Sequence, residues 1–91
     1  MIVWRVNLIF AEIIPMGCLG FDQDIVITEG GIRHRRQSHD AVFFDSWDDA
    51  HKCLIHHMEE VIKSHEMQIK TYLDKLYEIK KQKMPEKIVV R

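Results

Sequence analysis

Apolar residues recur at alternating spacings of three and four along Ile55, Met58, Ile62, Ile69, Tyr72, Leu76 and Ile79, with His65 the one ionisable member of the stripe. Such spacing is the seam of a helix. No Gly or Pro interrupts the chain between Ser46 and Met84, so the pattern predicts a single rod of about 37 residues and about 55 Å. A compact domain of this length has a radius of gyration of roughly 12 Å. Half of the rod would then overhang its own core with its stripe uncovered. The expected interaction seam is Ile62, His65, Ile69, Tyr72, Leu76 and Ile79, buried by a second copy in a homodimer or by a different macromolecule. A kink near Ser64 would instead fold the helix back as a hairpin and bury the same stripe within one chain.

Ninety-one residues form one domain near the lower end of what folds alone, so assembly is a ready way to hide further apolar surface. Thirteen Lys and Arg against 14 Asp and Glu leave a net charge of −1. That balance carries neither the footprint of a strongly basic nucleic-acid binder nor that of an acidic mimic. Cys18 and Cys53 are far apart in sequence, which argues against a disulfide framework and for a reducing cytoplasm. The apolar start, Met1 to Ile14, is interrupted by Arg5, Asn7 and Glu12 and lacks the positively charged beginning of a secretion signal. It reads as a strand. No segment approaches the roughly 20 apolar residues of a membrane span, so no membrane association is expected.

Along the chain, Ile2, Trp4, Val6, Leu8 and Phe10 alternate with Val3, Arg5, Asn7 and Ile9 in the period of a strand. Pro15, Gly17 and Gly20 are expected to break the chain before a second strand at Ile25–Thr28. Gly30 and Gly31 then permit a tight hairpin, whose return arm holds Arg33, His34, Arg35 and Arg36 and forms a charged edge strand. Residues 37–40 turn the chain again, and Ala41–Phe44 is the last short strand. Ser46 can cap the helix, Asp45 and Asp48 favour its positive end, and Lys80, Lys81, Lys83 and Pro85 mark its close. Glu59 with Lys63 and Glu66 with Lys70 are spaced as supporting pairs. Trp47, Ala50, Leu54, Met58, Val61 and Ile62 make a wide apolar face suited to packing on a sheet. The expected fold class is α+β: an antiparallel sheet of three to four strands over 1–45, one long C-terminal helix over 46–84, and a tail over 85–91 that is a small strand or a disordered end.

Few residues carry chemistry. Cys53 and His57, four apart, offer two metal ligands on one helix face, but a zinc site needs two more, and Cys18, His34 or His39 would have to be brought to them by the fold. His39–Asp40 falls in a turn without the further His and Asp of a metal phosphohydrolase, and His65–Glu66 lacks the second His of a zinc-protease helix. Cys53 could be a nucleophile only with a base and a positively polarised setting, neither of which the sequence establishes. We therefore expect no metal, no cofactor and no catalytic residues. Arg33, His34, Arg35 and Arg36 form the one concentrated basic patch, with Arg33 and Arg35 on one strand face and His34 and Arg36 on the other. No aromatic residue interleaves with it to stack bases, and an acidic protein surface suits it as well as phosphate does.

The passage Phe43-Phe44-Asp45-Ser46-Trp47-Asp48-Asp49-Ala50, which leads from a small sheet into a charged helix, resembles small accessory proteins of bacteriophages and prophages. The order of elements agrees from about Ile25 to Lys83, and the detail is confined to the passage quoted. The resemblance implies an inhibitor of host defence of the anti-CRISPR kind, acting by stoichiometric occlusion or locking of a host protein or ribonucleoprotein complex in the bacterial cytoplasm. It supplies no catalytic residues. The second expectation is a small nucleic-acid-binding regulator that uses the arm from Arg33 to Arg36.

Overall fold

A computed structural model describes residues 1–64, 69–86 and 88, and for Ile69 the backbone alone. Five strands, β1 (Ile2–Asn7), β2 (Glu12–Phe21), β3 (Ile25–Thr28), β4 (Arg33–Arg35) and β5 (Ala41–Phe44), precede two helices, α1 (Trp47–Ser64) and α2 (Ile69–Lys81). The sheet is antiparallel throughout, in the order β4-β3-β2-β1-β5.

Its two outer strands meet. Just beyond β4, Gln37 bridges Val42 of β5, the Phe43 N–H donates to the Arg36 carbonyl at 2.9 Å, and the Ser38 N–H donates to the Ala41 carbonyl at 2.8 Å. The sheet thus curls into a small barrel, which covers the edges where β4 and β5 meet and leaves the first half of β2 with one edge free. Val3, Cys18, Val26 and Phe43 are buried together on the inner face, with Met16 and Phe21 packed against them. Trp4, Val6 and Ala11 belong instead to a second core shared with the helices through Ala50, Leu54, Met58, Leu76 and Ile79. Consecutive residues of β1 therefore enter different cores, as the twofold alternation of a strand requires.

The strands number five because the segment from Glu12 to Phe21 pairs through Pro15, Gly17 and Gly20 rather than breaking there. β2 joins β3 only from Cys18 onward, so Pro15, opposite Trp4, sits where one edge of β2 is free and its missing N–H costs no ladder bond. The first strand is also shorter than its alternation predicts. Asn7 Oδ1 accepts the N–H groups of Ile9 and Phe10, each at 3.0 Å, and turns the chain at the point where the apolar alternation runs on. The glycine hairpin is as expected: Gly31 takes a φ of 80° and donates its N–H to the Thr28 carbonyl at 2.9 Å.

The single rod is replaced by a helical hairpin. His51 Nε2 lies 2.7 Å from the Ile79 carbonyl oxygen, whereas 28 intervening helical steps would separate the two residues by about 42 Å. Folding back packs the described part of the stripe inside the chain, which relieves the apolar exposure that a rod would carry. At the close of α1 the Ser64 hydroxyl donates to the Glu60 carbonyl at 3.0 Å, a local bond of the kind that weakens a helix. The Asp49 N–H donates to Ser46 Oγ at 3.3 Å, the expected cap. Lys63 pairs with Glu60 at 3.8 Å rather than with Glu59. Glu66 lies outside the described residues. Of the tail, Ile88 packs against the helix-side core, and residues 87 and 89–91 lie outside the described residues.

Asp22 closes the β2–β3 turn by accepting the N–H groups of Asp24 and Ile25, each at 2.8 Å. These bonds, helped by Arg33 and Arg36, hold its carboxyl below the ordinary value of 3.8. A lowered folded-state value contributes stability above the unfolded value of about 3.9 and loses it as pH falls through the folded one. Asp22→Asn keeps the acceptor oxygen and removes the charge. It should flatten the dependence of the thermal midpoint on pH below about 4.5; an unchanged slope would refute the linkage.

Candidate binding surface

Of the predicted seam, Leu76 is 7% exposed and Ile79 fully buried, and Ile62 and Tyr72 pack against the same core. His65 and the side chain of Ile69 lie outside the described residues. The described part of the seam thus faces α1 and the barrel within one chain. A homodimer built on it loses the surface that motivated it. Among its described apolar side chains α2 leaves Leu73 and Tyr77 exposed, with the Lys81 ammonium 4.3 Å from the Tyr77 ring centroid.

The basic patch divides as its alternation predicts, and the division takes half of it out of play. Arg33 and Arg35 are exposed. His34 packs its ring 5.6 Å from that of Phe43 on the inner face. Arg36 lies 4.4 Å over the Phe21 ring and donates to the Phe43 and Asp22 carbonyls, each at 3.3 Å. It clasps the barrel seam.

Cys18 and His34 lie on the inner face of the sheet, while Cys53 and His57 belong to α1 on the other side. Cys18 donates its thiol to the Gly20 carbonyl at 2.9 Å. Burial pushes the Cys53 thiol above 9.0, which keeps it protonated at neutral pH and a poor nucleophile. The Ser38 hydroxyl donates to Asp40 Oδ1 at 2.7 Å and is the main reason that carboxyl is held below 3.8. His39–Asp40 is a turn element, as its position between strands predicts.

The surface that stands out was hidden inside the strand alternation. Leu8, Ile9, Phe10 and Ala11 form the β1–β2 turn, and its tip leaves Ile9 69% and Phe10 71% exposed. This turn is built. Besides the two bonds to Asn7, the Leu8 N–H donates to the Asp40 carbonyl at 2.9 Å and the Leu8 carbonyl meets His57 Nε2 at 3.2 Å. Ala11 takes a φ of 53°, a conformation costing roughly 1 kcal/mol for a residue with a Cβ, and is held there by burial of its methyl group in the helix-side core. Between tip and helices lies a groove of about 440 Å³, lined on the tip side by Leu8, Ile9 and Phe10 and on the helix side by Val61, Tyr72 and Lys75, with His57 and Met58 at its floor. The sequence signal for it was Asn7, a turn former amid apolar alternation.

Comparison with protein families, curated proteins and solved structures found no match to this chain. Among the described residues no helix is long and apolar enough to cross a membrane.

Proposed function

We propose that this chain is a non-enzymatic binding protein of the phage or mobile-element kind, which inhibits or modulates a bacterial defence complex by stoichiometric occupation in the host cytoplasm. The supporting observation is the Ile9–Phe10 tip. Two adjacent large apolar side chains, both about 70% exposed on a turn held by four hydrogen bonds, form a pre-organised anchor of the type that dominates protein interfaces. Order in the free state lowers the entropy lost on binding. The inhibitor character rests on the passage from Phe43 to Ala50.

Affinity capture from a bacterial lysate, with and without nuclease, tests this reading. The expected partner is a protein or ribonucleoprotein that survives nuclease treatment and raised salt, and Phe10→Asp should lose it. Phe10 is largely exposed, so the variant should keep its thermal midpoint within a few degrees. Capture of nucleic acid alone, falling steeply with salt, would overturn the reading in favour of a regulator using Arg33 and Arg35.

A further inference from the structure

The lining of the groove beside the tip has a one-sided charge. In a chain where acids outnumber bases 14 to 13, the basic side chains at this groove are His57 and Lys75, and no carboxylate stands among its described lining residues. His57 Nε2 is engaged by the Leu8 carbonyl. Lys75 is half-buried and makes no ion pair among the described residues. Its ammonium is thus available to pair with an acid that a partner brings. The apolar walls on either side, Phe10 and Leu8 from the turn and Val61 and Tyr72 from the helices, call for an apolar side chain between them.

We propose that this groove receives an apolar peptide segment that carries a carboxylate, its aliphatic or aromatic side chain lying between the tip and the helices and its acid pairing with Lys75. The assignment rests on the binding-protein reading and names the chemistry of its partner. The volume, about 440 Å³, lies in the range that encloses a compact ligand group. Charge disfavours a second copy as occupant. Docked about a twofold axis through the groove, a copy returns the same cationic lining to itself, with no acid from the groove's described lining to meet it.

The test is selection from a displayed library of short random peptides on the whole chain, followed by titration of the enriched peptides in synthetic form. Enriched sequences should place Asp or Glu next to Trp, Phe, Leu or Ile. Phe10→Asp should abolish their binding, and Lys75→Glu should weaken it about fivefold, the upper end for a partly exposed pair. A peptide with its acid changed to Lys should regain that loss on Lys75→Glu. Enrichment without acids, equal binding to Lys75→Glu, no enrichment at all, or self-association that Phe10→Asp abolishes would each overturn the proposal. The broader reading fails separately. Capture of a lysate partner that Phe10→Asp loses, with no peptide selected, refutes the groove's occupant alone, whereas loss of both refutes both.

Discussion

Replacing Ile79 with Asp should abolish the cooperative native fold at 25 °C. Ile79 is fully buried where α2 meets α1 and the outer face of the barrel. Truncating a buried Ile costs about 2–5 kcal/mol, and seating a carboxylate there adds several more. A chain of this size has only about 5–14 kcal/mol to lose. The near-ultraviolet circular dichroism signal of Trp4, buried in the same core, should vanish in the variant. Leu73→Asp, on the exposed face of the same helix, should leave that signal intact. A folded monomer in place of the unfolded Ile79 variant is what a rod-shaped dimer predicts, and it would refute the hairpin.

Phe43→Ala should lower stability by about 3–5 kcal/mol, the second largest effect expected. Phe43 is 2% exposed in the barrel interior, tilted against the His34 ring and facing the Arg5 guanidinium at 6.0 Å. Its backbone also closes the barrel, since its N–H and carbonyl both bond Arg36. The side chain therefore fills the space that the closure encloses. Urea denaturation should show the midpoint falling with an unchanged slope, the signature of lost stability without a changed fold. A loss under about 1 kcal/mol would mean an open sheet with Phe43 on a surface.

Much of this architecture was legible in the residues, and the failures share a cause. Local signals held: Gly30–Gly31 turned a hairpin, Ser46 capped a helix, and Ala50, Leu54 and Met58 packed on the sheet. Periodicity alone misled twice. The alternation from Ile2 to Phe10 continues through a turn that Asn7 makes, because a turn residue's side chain is not bound by the strand's period. The heptad-like stripe from Ile55 to Ile79 is the same whether its cover is another molecule or its own first half. The pairing of His51 with Ile79 and the core that Leu76 and Ile79 share with Ala50, Leu54 and Met58 decide between them, and no local pattern encodes a contact 28 residues apart. Pro15 misled for a related reason: it is tolerated because β2 has one free edge there, a property of the whole sheet. The exposed tip was missed outright, since Ile9 and Phe10 read as opposite faces of a continuing strand.

The most direct test of the Ile9–Phe10 tip as the binding face is the dissociation constant of the captured partner for the parent chain and for Phe10→Asp, each at low and high salt. Loss of a central aromatic anchor should weaken binding by about 30-fold or more, while raised salt should change the parent's affinity by no more than about fivefold. An unchanged constant for Phe10→Asp, together with a fall of several decades in salt, would contradict the account.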